Sequence, residues 1–251
     1  MERFIENLRA AGAPFGLNLI AAVPIRVYLE QTRSARPPSF APQMRSIVVV
    51  ANGGGDFWRA FSRYRDAHPG WDERQNPLDD FTRIVTEQHL LQVAHAEGID
   101  CAAAYPFVTQ PVTVNFMALG RAAGVAGPSL LGVLVHPTYG PWIAFRAALL
   151  LDRELDAPGD ARAFDPCPGC VTRSCISACP AAAVSYPQGW DIPRCLCYRV
   201  ENEAACAPVC HARAACVLGP EHRYPPDALA YHQRRALQAM RPYYDQVRSS
   251  G

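Results

Sequence analysis

CPGCVTRSCISACP, residues 167–180, decides how the second half of this chain folds. Its spacing is Cys167-x2-Cys170-x4-Cys175-x3-Cys179-Pro180. The bacterial pattern for [4Fe-4S] centres is C-x2-C-x2-C-x3-C-P, so only the second interval is stretched. Short intervals let consecutive thiolates wrap three corners of one cubane, while the Cys before Pro turns outward to a second cluster. A second group is therefore expected. Cys195, Cys206, Cys210 and Cys216 provide it, again with wide intervals, Cys206-x3-Cys210-x5-Cys216. From residue 167 on, the chain is too rich in Cys, Pro and small residues to fold around an apolar core of its own. Something bound by sulfur must organise it.

Two [4Fe-4S] clusters are the first reading of these cysteines. Zinc in some of the same thiolates is the second, and it ranks lower because a zinc site would call for two C-x2-C pairs where one is present. A degenerate region with reduced or disulfide-linked cysteines is the third. The stretched intervals leave open whether each cubane closes or one iron site stays free. Two cysteines remain over. Cys197 is expected on the opposite face of an extended segment from Cys195, and Cys101 as a small buried hydrophobe in a strand. His211, beside Cys210, reads as a hydrogen-bonded histidine before it reads as a ligand.

Composition narrows the chemistry. The chain has 251 residues, and all 24 of its cationic side chains are Arg. Without Lys, Schiff-base catalysis and a G-x-x-x-x-G-K-[ST] phosphate loop are excluded. A formal net charge of +1 leaves no electrostatic footprint for nucleic acid, which makes that partner unlikely on charge. The early apolar stretch from Ala13 to Ile25 contains Asn18 and lacks a basic flank and a cleavage site, so it reads as a buried strand and not as a secretory signal. No run approaches the roughly 18 apolar residues of a membrane span. A cytoplasmic protein without a membrane partner is expected, and in that compartment clustered cysteines favour metal over disulfides.

Upstream of the cysteines, strand-like and helix-like patterns alternate. Leu17 to Val23 and Ser46 to Ala51 (SIVVVA) read as buried strands, the latter running into Gly53, Gly54 and Gly55. Asp56 is placed to cap a helix carrying Phe57, Trp58 and Phe61, and another helix starts after Asn76-Pro77. A strand follows near Cys101 to Tyr105, then a helix over Thr113 to Ala123. Leu130 to Val135 and Trp142 to Leu151 read as strands joined by a tight turn over His136 to Pro141. The expectation is an α+β protein of three parts: a core over 1–155, a Cys-rich iron-sulfur domain over 156–224, and a C-terminal helix over 225–251 that returns to the core.

The segment GVLVHPTYGPWIAFRAALLLD, which begins at Gly132, resembles the cobalamin-handling branch of the flavin-reductase and nitroreductase-like proteins, the CblC (MMACHC) type of trafficking chaperone. That family carries G-V-x-[IV]-H-P-x-[FY]-G-x-W-x-x-x-R. The resemblance extends more faintly over Asn52 to Thr82, through the glycine turn, Trp58 and Asn76-Pro77-Leu78-Asp79. A core of this kind followed by two ferredoxin-like cysteine groups is similar to epoxyqueuosine reductases and reductive dehalogenases, over Ala118 to Leu155 and Cys167 to Tyr198. The resemblance implies a nitroreductase-like core that binds cobalamin beside a ferredoxin-like domain with two [4Fe-4S] clusters. It implies a corrinoid site lined by His136, Pro137, Tyr139, Gly140, Trp142 and Arg146. It also implies one cluster on Cys167, Cys170, Cys175 and Cys216, and the other on Cys179, Cys195, Cys206 and Cys210. In that reading Gly140 admits a flat macrocycle, Tyr139 and Trp142 pack on it, and Arg146 pairs with propionamide or phosphate oxygens.

The function so implied is an iron-sulfur oxidoreductase that reduces a corrinoid or uses it reductively. An external donor such as ferredoxin or flavodoxin would supply the electrons, and a homodimer is an open prospect. A ferredoxin-like carrier without corrinoid, and an epoxyqueuosine reductase-like tRNA-modifying enzyme, are the alternatives. Two departures weigh against close relatives. Epoxyqueuosine reductases carry an acid at the start of the helix corresponding to Pro111 to Ala123, where this chain has Val108, Thr109 and Gln110. The exported dehalogenases follow a twin-arginine signal that this sequence does not show.

Overall fold

The structure is a computed structural model, and it describes residues 2–32, 40–108, 112–156 and 164–248. The chain divides into two compact units, Met1–Ala126 with Ile143–Phe164, and Gly127–Trp142 with Asp165–Gly251.

The first unit is built on an antiparallel sheet of β1 (Leu19–Pro24), β2 (Ser46–Gly53), β3 (Cys101–Ala104) and β4 (Ile143–Leu151), in the order β1-β2-β4-β3. The β-branched run of β2 is buried along its whole length because it pairs on both edges, Leu19↔Ala51 on one side and Ser46↔Leu151 on the other. A register shift between Val50 and Ala51 re-aims the last residues of β2. Helices α1 (Glu2–Gly12), α2 (Ile25–Thr32), α3 (Asp56–Ala67), α4 (Pro77–Val85), α5 (Leu91–Ala96) and α6 (Phe116–Ala122) surround the sheet. A π-helical turn, Thr86–Leu90, joins α4 to α5. Phe57, Phe61 and Phe81 meet in the core with ring centroids 5.4 to 5.7 Å apart. Antiparallel pairing throughout makes this an α+β arrangement. Capping differs from expectation: Gly55 is the N-cap of α3 and Asp56 instead pairs with Arg59, while Asn76 is the N-cap of α4 without a side-chain capping bond.

The second unit carries α7 (Ser174–Ser177), the short hairpin of β5 (Val184–Ser185) and β6 (Gly189–Trp190), α8 (Ile192–Glu201), α9 (Glu203–Cys206), α10 (His211–Ala214), α11 (Pro226–Met240) and α12 (Tyr244–Arg248). Three expectations change here. Leu130 to Val135 is no strand; it keeps only the bridge Gly127↔Val135, and the turn after it closes with His136↔Gly140. Leu130 and Leu131 face the cysteine region, where Leu130 is buried with Val184 and Ala212, while Val133 is exposed. The segment Gly127–Trp142 accordingly belongs to the second unit, a detour that the expected boundary near residue 155 misses. Glycines explain the close fit: a Cβ on Gly132 would run into the Trp190 ring. The C-terminal helix also belongs to this unit. Leu237 of α11 packs with Leu196 of α8 and Ala207, and the Arg199 guanidinium donates to the Gln233 carbonyl at 2.7 Å. Pro158-Gly159, the expected linker, lies outside the described residues. Among the described residues no helix is long and apolar enough to cross a membrane.

Candidate metal centre

Four cysteines from distant positions line one cavity in the second unit. Cys167 and Cys170 sit on a loop closed by the Cys170 amide donating to the Cys167 carbonyl, Cys175 is on α7, and Cys216 follows α10. Together with Leu130, Val135, Val171 and Leu218 they wall a cavity of about 290 Å³. Burial pushes the Cys175 thiol pKa up, and the neighbouring Cys216, Cys167 and Cys170 push it further. Burial likewise raises Cys216, opposed by the Leu218 and Val217 backbone amides that donate to its sulfur. The stretched x4 interval thus leaves all four sulfurs on one wall. Its extra length goes outward, where Val171 is 95% exposed.

The remaining four approach one another as a second group. Cys179 ends the α7 motif, Cys195 is on α8, Cys206 closes α9 and Cys210 caps α10. Burial raises Cys195, opposed by a hydrogen bond from the Trp190 side chain and by the Arg199 charge, while Cys210 and Cys179 add to the rise. Cys206 is raised by burial, then by Cys195 and Cys210, with Arg199 opposing. The Ala183 amide donates to the Cys179 sulfur at 3.4 Å. Between the groups lies a small apolar core of Leu130, Val184 and Ala212, against which Cys167, Cys175, Cys179 and Cys210 pack.

Thiols crowded in this way repel once ionised, and a bound cation relieves both the repulsion and the burial. Among the described residues no three Cys, His, Asp or Glu side chains close on a single ion. A lone zinc needs its sulfurs within about 2.3 Å of one point. A cubane holds each thiolate at a separate iron, so its ligands stand wider apart, and two sets of four thiolates fit two such groups. The N–H donors and Arg199 are the outer interactions that a group held there would meet. Cys197, half-buried, lies on α8 two residues from Cys195, on a helix and not an extended segment. Cys101 is half-buried in β3, and His211 Nε2 bonds the Ala205 carbonyl at 3.0 Å.

Of the residues implied for a corrinoid, five sit in the second unit. His136 Nδ1 accepts the amides of Thr138 and Tyr139, at 3.0 and 3.2 Å, which leaves the proton of the neutral ring on Nε2. The Tyr139 ring lies between His136 and His222, at 5.0 and 4.6 Å. Pro137 is exposed, and His136 and Tyr139 are half-buried. Gly140 has φ +55°, and a Cβ there would lie 2.6 Å from the Leu218 carbonyl carbon. Its glycine is therefore required by a neighbouring backbone. Trp142 is wholly buried, its ring beneath the Arg213 guanidinium and edge-on to Tyr224, so it offers no open face. Arg146 belongs to β4 in the first unit. It is buried, donates from Nε to Asn52 Oδ1 at 2.7 Å, and covers the Phe57 ring at 4.3 Å. Gly53 is held by Asn18, whose side chain both accepts its amide and donates to its carbonyl. Arg213, Trp190, Arg199 and Gly219 escape a reading of the sequence. Only the Gly-Pro at 219–220 signals a turn there.

No family model matches the chain. An epoxyqueuosine reductase of Synechococcus sp. (strain RCC307) is 24% identical over 188 residues, 74% of this chain and 47% of that enzyme. The chain thus spans about half the length of the curated relative it matches. Among solved structures, epoxyqueuosine reductase from Streptococcus thermophilus superposes with a TM-score of 0.58 at 12% identity, covering 90% of this chain and 68% of that one. The B12-trafficking protein CblC of C. elegans, a human MMACHC homologue, gives 0.58 at 13%, covering 93% of each chain. The catabolic reductive dehalogenase NpRdhA gives 0.52 at 14%, covering 96% of this chain and 35% of the dehalogenase. These are the relatives that the motifs around His136 and Cys167 lead to. The chain shares their fold.

Proposed function

We propose that the chain is an iron-sulfur oxidoreductase acting on or through a corrinoid. The observation that carries this reading is the gathering of eight thiols into two sets of four, one around a single cavity. In this reading Cys167, Cys170, Cys175 and Cys216 hold one [4Fe-4S] cluster, and Cys179, Cys195, Cys206 and Cys210 hold the other. When bound, such clusters supply single electrons, and cobalamin supplies a cobalt able to take them. The chain's own residues set the conditions. The Trp190 side chain and the amides of Ala183, Val217 and Leu218 donate to sulfur, which spreads its negative charge and raises the potential. His136 keeps a proton on Nε2, with Pro137 and Tyr139 beside it.

The corrinoid half of the proposal rests on the fold shared with a B12-trafficking protein and on the motif from Gly132 to Arg146. His136, Pro137 and Tyr139 are the ligand-facing candidates, while Gly140 and Trp142 hold the turn that carries them, and Arg146 lies in the first unit. An external one-electron donor such as ferredoxin or flavodoxin would reload the clusters. An epoxyqueuosine reductase activity is the second reading, favoured by the 24% identical relative. Against it stands the absence of an acid at Val108, Thr109 and Gln110, the last two outside the described residues.

The test is protein purified without oxygen, assayed for iron and acid-labile sulfide, then titrated with cobalamin. About eight iron per chain and a shift of the corrin absorption bands are expected. Zinc or no metal would refute the redox reading. Iron without a band shift would reduce the protein to an electron carrier, and turnover of epoxyqueuosine would make the second reading the right one.

A further inference from the structure

The turn His136–Trp142 is fastened to the segment from Cys210 to Gly219. Arg213 of α10 donates from Nε and Nη2 to the Pro141 carbonyl, at 3.1 and 2.5 Å. Its guanidinium lies 4.9 Å from the Trp142 ring and 5.1 Å from the Tyr224 ring. At the other end of the turn two glycines interlock. Gly140 meets the Leu218 backbone, and a Cβ on Gly219 would stand 2.5 Å from the Tyr139 carbonyl carbon. Within the turn, His136 and Gly140 exchange backbone bonds at 2.8 Å, and the Trp142 amide donates to Tyr139 at 3.0 Å.

The helix that carries Arg213 is four residues long, His211–Ala214. Isolated helices shorter than about 12 residues do not hold themselves in water. This one is pinned by the Ala212 methyl in the small core and by a cysteine on either side. Cys210 belongs to one thiol set and Cys216 to the other. The segment is thus anchored by metal at both ends only when both sets are filled.

We propose that Arg213 is a positioning residue that makes the His136–Trp142 turn dependent on cluster loading. With both sets filled, α10 is fixed, Arg213 reaches Pro141 and Trp142, and the turn is held. With the sets empty, the anchors at 210 and 216 are free, Arg213 is released, and the turn loosens. The inference rests on the proposed function for the identity of the metal, and it deepens that reading: a chain without its electron path would also lack an ordered ligand-facing turn.

Hydrogen exchange read by mass spectrometry over residues 136–142 tests this, with iron measured on every sample. Loaded wild type, wild type stripped by chelator, and loaded Arg213→Gln and Arg213→Lys are compared, with β2 as the internal reference. Stripping is expected to speed exchange of the Gly140 and Trp142 amides by about tenfold, the loss of charge-assisted bonds to one carbonyl. Arg213→Gln should show the same rise while keeping its iron. Arg213→Lys, which retains the charge without the two-pronged donor, should fall between. Equal protection in loaded and stripped wild type overturns the proposal, and so does wild-type protection in iron-loaded Arg213→Gln. Protection of α11 in the same samples separates release of the turn from unfolding of the second unit, and loss of both together on stripping also overturns the proposal. A chain that never takes up iron refutes the proposed function as well, whereas an iron-loaded chain with an indifferent turn refutes the coupling alone.

Discussion

Replacing Gly140 with alanine isolates the close approach on which the second unit depends. Two costs are visible. The backbone there has φ +55°, a conformation that costs an L-residue about 1–2 kcal/mol. The added methyl would overlap the Leu218 carbonyl and lie 3.0 Å from its Cβ. Because the obstacle is backbone, not a pliant side chain, the turn or the 218–219 segment must shift, an overpacking cost of about 1–3 kcal/mol. The sum is about 2–5 kcal/mol. Gly189→Ala is the matched control in the same unit: φ is +83°, yet the nearest atom to the new methyl is the Leu130 carbonyl oxygen at 3.8 Å, an ordinary contact, so only the backbone cost of about 1–2 kcal/mol remains. Urea unfolding under anaerobic conditions, followed by visible absorbance and far-ultraviolet dichroism, reads both. With a slope near 2 kcal/mol per molar, Gly140→Ala should lower the midpoint of the second unit by about 1–2.5 M. A midpoint no lower than that of Gly189→Ala would refute the reasoning and restore a ligand as the reason for the glycine.

Other expectations follow from the same sites. Cys216→Ser and Cys206→Ser should each reduce iron from about eight to about four per chain, while Cys197→Ser leaves it unchanged; a loss of iron in Cys197→Ser would show that the sets are drawn wrongly. His136 has its pKa lowered by burial and then by His222, so the neutral ring contributes stability that is complete above about pH 6.5 and is lost as pH falls through the lower folded value. The protection factors of the Thr138 and Tyr139 amides, which donate to Nδ1, should therefore fall as the solution is acidified; protection that stays constant through the titration would contradict this. Cys101 is pushed up to about 12 by burial first and then by Asp100 and Asp152. Its stabilisation is intact below the ordinary thiol value of about 8.5 and declines as pH rises toward 12, and at pH 8 iodoacetamide should label it in urea but not in the folded chain. Labelling of the folded chain at the rate of a free thiol would refute that burial.

The elements read correctly from the sequence are those whose cause is local. SIVVVA is β-branched and uninterrupted, and it becomes the buried strand β2. Pro225 and Asp227 open a helix that runs to Met240, as the pattern implies. Leu130 to Val135 has the same apolar look as a strand, and it misleads because what covers it is a cysteine-lined cavity and not a neighbouring strand. Trp142 and Arg146, four residues apart, read as one surface, yet the chain crosses between units at Ile143. The tyrosine and histidine of the turn are visible in the sequence as a motif; the arginine that holds them is not, since Arg213 is one of many and nothing beside it marks its partner.

By itself the sequence determined the chemistry available to this protein: eight thiols in two closely spaced groups, no Lys, and a His-Pro-Thr-Tyr-Gly turn between apolar runs. Those are properties of residue type and short spacing, carried by neighbours a few positions away. Only the tertiary structure decided that Cys216 shares a cavity with Cys167, that Gly140 is needed by Leu218, and that Arg213 closes on Pro141. Each of these joins residues far apart in the chain, and such contacts are set by how whole segments pack, which no local pattern encodes.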